Sequence, residues 1–212
     1  MKSNSEQIRE ARENNRSLTL KPSGITGDAI LHDASETVSP GNGVFTTHAF
    51  PKGEFITYYT GWIINYAEFT QLQKHNAHSH LIGRTPMHDA VMGVETAEEL
   101  LMFPEDERGL GSFINHSPTP NCEKIIIDEQ ICFKALVQIP ANSEIFINYG
   151  SSYWQKTYVR DPGANNFRQL IIRRGDNTTR FLTGKRKRNI THMNRKGGRR
   201  RRRCSSRRSK RK

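Results

Sequence analysis

Short apolar runs and two-residue alternation dominate the chain, and helical spacing is confined to brief stretches. Leu18 to Lys21 alternates and stops at Pro22, which predicts a short strand. Gly41 to Phe45 reads as a tight turn entering a strand, and Pro51-Lys52-Gly53 as a second turn. Phe55 to Ile64 is apolar, aromatic and β-branched, which predicts a strand or a strand pair. His80–Gly83 and Ala90–Val94 predict short strands around a polar turn. Lys124–Asp128 and Gln130–Ala135 predict a hairpin turning near Asp128-Glu129. A turn at Pro140–Ser143 then leads into a strand over Glu144–Tyr149.

Helices are few. Ser5–Asn15 is charged and suits a frayed helix, and Tyr66–Lys74 has the spacing of one short helix. Thr96–Phe103 suits a third, with Thr96 as N-cap and Glu99 at the capping-box position. Many short strands with few, short helices predict a mainly β single domain. No internal repeat is visible, and no apolar run approaches the roughly 18 residues needed to cross a bilayer, which argues against a membrane partner.

The charge is divided. The net charge is +12, yet residues 183–212 hold 16 Lys or Arg and no acid. The other 182 residues carry 33 − 16 = 17 bases against 21 acids, about −4. The tail lacks apolar periodicity and is expected to be disordered. Lys185–Arg188 has the form of a nuclear import signal, and Arg199–Arg203 with Arg207–Lys212 suits phosphate attraction to nucleic acid without sequence preference. A solubilising or retention role suits the same composition. Three cysteines, Cys122, Cys132 and Cys204, and a charged opening without an apolar core point to a reduced, intracellular protein. No C-x-x-C pair is present, and His75, His78, His80 and His88 have no supporting ligand cluster, so no metal is expected.

Four segments carry a resemblance. They are Gly41-Asn42-Gly43-Val44-Phe45 with Pro51-Lys52-Gly53; Tyr59-Thr60-Gly61; Phe113-Ile114-Asn115-His116-Ser117 with Pro120-Asn121-Cys122; and Glu144-Ile145-Phe146-Ile147-Asn148-Tyr149-Gly150. In this order they resemble the SET domain of protein lysine methyltransferases, over roughly residues 18–154. The resemblance implies a fold of small curved sheets with a pseudoknot. Residues 1–17 are then an N-terminal flank, 155–182 a flank closing the site in place of a cysteine-rich post-SET segment, and 183–212 the tail.

The resemblance also implies a chemistry: methyl transfer from S-adenosylmethionine to a lysine of a basic protein, a histone being the expected substrate, in the nucleus. Tyr149 and Tyr59 are the implied catalytic tyrosines. Gly41, Asn42, Gly43, Asn115, His116 and Trp154 are the implied cofactor residues, Trp154 against the adenine. Ile147 and Lys124 hold the positions that tune product number, and neither is an aromatic with a hydroxyl, which motivates di- or trimethylation. Glu95, Glu98, Glu99, Glu105, Asp106 and Glu107 precede the signature segment and suit docking of a basic peptide, though such a run also suits a solvated face. Read alone, the tyrosines and Trp154 are core aromatics and the glycines a turn. Ser112, Pro118 and Asn148 depart from the family's usual residues, which keeps two alternatives open: a methyltransferase of a non-histone protein, or a weakly active module that mainly binds chromatin or nucleic acid.

Overall fold

The computed structural model describes residues 2–25, 41–74, 81–83, 90–150 and 168–173. The opening segment is a helix, α1 (Asn4–Asn15), capped at its N-terminus. Ser3 accepts from the Glu6 amide while the Glu6 carboxylate takes the Ser3 amide, a complete capping box. Ala11 is fully buried and packs with Phe55, Tyr58, Ile127 and Cys132, so tertiary burial anchors a helix whose composition is mostly polar.

Among the described residues ten strands follow: β1 (Leu18–Pro22), β2 (Asn42–Thr46), β3 (Phe55–Tyr58), β4 (Gly61–Ile64), β5 (Leu81–Gly83), β6 (Ala90–Gly93), β7 (Asn115–His116), β8 (Cys122–Ile127), β9 (Gln130–Ala135) and β10 (Phe146–Ile147). They form four small sheets, ordered β1-β2, β3-β9-β8, β4-β6-β5 and β7-β10. The apolar run from Phe55 therefore divides between two sheets. Tyr59 bridges to Leu110 at the break, and Gly61 restarts pairing opposite Gly93. The β8–β9 hairpin turns through Asp128 and Glu129, both with positive φ, 45° and 69°, as a two-residue turn matched to strand twist requires.

Two helices accompany the β4-β6-β5 sheet in sequence, α2 (Tyr66–Lys74) and α3 (Ala97–Leu101). Thr96 caps α3 by accepting from the Glu99 amide at 3.2 Å. The Glu99 carboxylate does not return to Thr96; it takes the Glu95 amide at 2.8 Å. The helix is shorter than the apolar spacing predicts because Phe103 precedes Pro104, which disfavours helical backbone, and Phe103 turns in to meet Trp62 edge-on at 5.0 Å. Residues 168–173 form a further short helix, with Arg168, Ile171 and Ile172 buried.

The last segment of the sheet framework is the most constrained. Of the strand expected over Glu144–Tyr149, only Phe146–Ile147 forms a ladder, and it pairs in parallel with β7. On its other side Glu144 bridges to Phe45, and the Ile145 amide donates to the Val44 carbonyl at 2.8 Å. Asn121 interrupts the ladder and replaces it: its amide donates to the Glu144 carbonyl and its side-chain oxygen accepts from the Phe146 amide, both at 2.8 Å. The segment is gripped on both edges, in keeping with the pseudoknot of the expected fold. Asn121→Ala removes both bonds and leaves two backbone groups unpaired, so the chain should lose about 1–3 kcal/mol of stability. Urea unfolding followed by circular dichroism measures this.

Candidate functional site

Three of the sequence-predicted segments meet at the closing strand. Gly43 has no room for a side chain: a Cβ there would overlap the Glu144 carboxylate and stand 3.2 Å from the Asn115 side-chain nitrogen. Asn115 donates from that nitrogen to Glu144 Oε1 at 3.0 Å and to the Asn42 carbonyl at 3.3 Å. Glu144 is buried, and it also accepts from the Ser23 hydroxyl at 2.7 Å and the Gly24 amide at 3.2 Å. One carboxylate thus joins residues 23–24, the glycine turn, the Asn-His strand and the closing segment. Gly41 has φ +69°, and among the described residues nothing lies within 4 Å of where its Cβ would stand.

His116 and Tyr149 form the second half of the cluster. The Tyr149 amide donates to His116 Nδ1 at 3.1 Å, and their rings lie 5.4 Å apart. That bond requires an unprotonated Nδ1, and burial lowers the His116 pKa from its ordinary 6.5, which keeps the ring neutral. The Tyr149 hydroxyl donates to the Ile114 carbonyl at 2.7 Å. Ile147 is buried, and Tyr149 is half-buried against the same core that holds Tyr59.

Tyr59 comes from the β3–β4 break. Its amide donates to the Ile131 carbonyl at 2.8 Å, and its ring lies 6.4 Å from Phe133. Around it, side chains stitch residues 57–60 to residues 105–110. The Tyr58 hydroxyl donates to the Asp106 carbonyl, the Thr60 hydroxyl to the Glu107 carbonyl, and the Gly109 amide to Thr60. Asn15 of α1 closes the set by accepting from Thr57 and from the Leu110 amide and donating to the Arg108 carbonyl. Lys124, on the cross-strand position opposite Phe133, is exposed and reaches the Gly83 carbonyl at 3.4 Å.

The acidic set does not present one face. Glu95 and Glu99 turn to the buried Arg168, with Glu99 at 2.6 Å and Glu95 at 3.5 Å. Glu98, Glu105 and Asp106 are exposed, and Glu107 is half-buried. Ser112 is buried with no hydrogen-bond partner for its hydroxyl among the described residues, and Asn148 accepts the Gly150 amide at 2.8 Å. Trp154, the four histidines at 75, 78, 80 and 88, and the basic tail lie outside the described residues. Among the described residues no cluster of three or more His, Cys, Asp or Glu is disposed around a metal, and no helix is long and apolar enough to cross a membrane.

Four residues of this framework escaped the sequence reading: Asn15, Asn121, Glu144 and Arg168. Asn121 and Glu144 stand inside the quoted motifs, and their motif positions were the available signal. Asn15 and Arg168 carry none, since nothing local marks a polar residue as one that will bond to segments distant in sequence.

The model of the SET domain matches residues 41–150. No curated protein matches the chain. Among solved structures, the polycomb repressive complex 2 of Chaetomium thermophilum aligns at 22% identity over 66% of this chain and 16% of that chain, with a TM-score of 0.46. Its autoinhibited form bound to S-adenosylmethionine aligns at 22% identity over 76% of this chain and 17% of that chain, again with a TM-score of 0.46. The chain therefore spans about a sixth of the length of these matched chains.

Two outcomes follow from the geometry. Gly43→Ala forces a Cβ into the Glu144 carboxylate and should cost about 1–3 kcal/mol, read as a lowered melting temperature. His116 adds a pH dependence. Its folded pKa lies below the unfolded one, so the unfolded chain binds the extra proton first. Stability should be full above the unfolded pKa, begin to fall as pH drops through 6.5, and level off below the folded pKa. Melting curves between neutral and acid pH should show this decline, and it should be reduced in His116→Asn.

Proposed function

The chain belongs to the SET-domain family, and from that membership we propose that it is a protein-lysine methyltransferase that uses S-adenosylmethionine. The observation that carries the reading is the joining of Gly43, Asn115, His116 and Tyr149 around one closing segment by the bonds through Glu144 and Nδ1. The turn suits the cofactor. Gly41 has nothing within 4 Å of where a Cβ would stand, Asn42 is exposed, and Asn115 and His116 are half-buried. Backbone can approach a charged methionine-like group there without side-chain bulk. Gly41, Asn42, Gly43, Asn115 and His116 would hold it, and Trp154 is proposed for the adenine on resemblance alone.

Bound there, S-adenosylmethionine supplies a methyl group on a sulfonium, to be passed in line to an amine. The chain's own part is to orient and to exclude water. The Tyr149 proton is committed to the Ile114 carbonyl, so the phenol oxygen turns electron density toward its other neighbours. That suits it to orient the amine and to stabilise a partly positive methyl group. A lysine has a pKa of about 10.4 in water. Tyr59, Ile147 and Tyr149 all pack in or on one core, and as the lining of the lysine approach they would disfavour the ammonium and so promote the neutral nucleophile. Ile147 lacks a hydroxyl and Lys124 is no aromatic, which supports di- or trimethylation.

The expected substrate is a basic protein, a histone first. Support comes from the exposed Glu98, Glu105 and Asp106 and from the nuclear-import form of Lys185–Arg188. Glu95 and Glu99 are engaged by Arg168 and are not counted in that support. A second reading, a weakly active module that binds chromatin, is favoured by Asn148, whose side chain is turned back on the Gly150 amide.

Transfer of label from S-adenosylmethionine to core histones should occur with the wild type and fall by about a hundredfold in Tyr149→Phe. Mass spectra of the product should show two or three methyl groups; monomethyl product alone rejects that degree. Label appearing only on other proteins of a nuclear extract selects a non-histone substrate. Thermal stabilisation by S-adenosylmethionine with no transfer to any protein selects the binding module.

A further inference from the structure

Arg168 is a cation with 4% of its surface exposed, in a short helix remote in sequence from every motif. Its Nη2 donates to the Gly93 carbonyl at 2.6 Å and to Glu99 Oε2 at 2.6 Å, and its Nε lies 3.4 Å from Glu99 Oε1 and 3.5 Å from Glu95 Oε2. The guanidinium carbon lies 5.9 Å from the centre of the Trp62 ring. Two carboxylates, a carbonyl and an aromatic face together take up a planar fork, an arrangement that a lysine ammonium cannot reproduce.

Anchoring the short helix at 168–173 would account for the two carboxylates and the ring. It does not account for the bond to Gly93, which connects to the site. A Cβ on Gly93 would overlap the Tyr59 hydroxyl and stand 2.7 Å from Tyr59 Cζ, so the end of the Tyr59 phenol rests on the Gly93 backbone. Gly61, paired with Gly93 across β4 and β6, is equally close on the other side: its Cβ would stand 2.7 Å from the Gly93 Cα. Tyr59 is fixed at its backbone end by the Ile131 carbonyl and the bridge to Leu110. Its hydroxyl end lies against Gly93, and the side chain that holds the Gly93 carbonyl is Arg168.

We propose that Arg168 is a positioning residue for methyl transfer, which holds the Gly93 carbonyl and thereby sets the wall on which the Tyr59 phenol rests. The proposal rests on the methyltransferase reading and deepens it, making the short helix at 168–173 part of the geometry of the lysine approach. Arg168 itself touches neither of the reacting groups. Its removal should therefore act on turnover and leave the cofactor turn at Gly41–Gly43 intact.

The test uses the full chain, with Arg168→Met and Arg168→Lys compared with wild type. Methyl transfer, S-adenosylmethionine binding and the NMR signal of isotope-labelled Tyr59, assigned from Tyr59→Phe, are measured in each. In Arg168→Met the Tyr59 signal should move, kcat should fall by about ten- to a hundredfold, and the cofactor Kd should change by less than about threefold. Arg168→Lys, with the charge but not the fork, should recover only part of kcat. Combined with Tyr59→Phe, Arg168→Met should add little further loss, because both act through one phenol. Losses that multiply, an unmoved Tyr59 signal, or cofactor affinity falling in step with kcat would overturn the proposal. If Arg168→Met does not fold, Arg168→Lys decides on the same three readouts. A wild type that transfers no methyl group overturns the methyltransferase reading instead, and the Tyr59 signal then still decides whether Arg168 sets the phenol.

Discussion

A buried carboxylate must find donors, and Glu144 finds three of them in two distant segments. Ser23 and Gly24 come from the end of β1, Asn115 from β7, and the space beside them is kept open by Gly43 of β2. None of these segments is near another in sequence. The need to satisfy one anion fixes all of them against the closing segment, and the Asn121 side chain holds that segment from its other edge. The glycine turn, the Asn-His pair and the Tyr149 strand are consequently one geometric unit. A shift in any of the three would leave Glu144 short of a donor in a place where water cannot easily replace it.

The second half of the site depends on glycines of a different kind. Gly61 and Gly93 pass so close that neither tolerates a side chain, and Gly109 and Gly111 lie equally close to the Tyr58 backbone. These close approaches let a break between two sheets carry Tyr59 inward while hydrogen bonds from Asn15, Thr57 and Thr60 hold the neighbouring loop. Burial raises the Tyr58 hydroxyl pKa, which keeps it a proton donor to the Asp106 carbonyl over the whole working range. The α1 helix thus belongs to the support of the site, although its sequence is mostly polar.

Much of this was legible beforehand. The strands at 18–22, 42–46, 90–93 and 130–135 follow from alternation and turn residues, and the SET-domain fold follows from four motifs in order. What escaped has a common physical cause. The packing of α1 depends on Ala11, the partly buried Ile8 and the side chains of Asn14 and Asn15, whereas amphipathic spacing is what periodicity detects. The split of Phe55–Ile64 depends on where Gly93 lies in space, which local pattern does not contain. The engagement of Glu95 and Glu99 by Arg168 joins residues about seventy positions apart, and a charge run read along the chain looks the same whether it faces water or an arginine.

The parallel pairing of β7 with β10 has a kinetic consequence. Both its strands are two residues long, and the contacts that hold β10 reach back to residues 23, 44, 115 and 121. Each of those partners must already be in position before the closing segment gains anything by docking, and long-range closures of this kind are slow. The hairpin β8–β9 can form from local contacts and wait. During refolding, far-ultraviolet signal should therefore return before the near-ultraviolet signal of fixed tertiary packing, with the delay belonging to seven residues at the end of the sheet framework, Glu144 to Gly150.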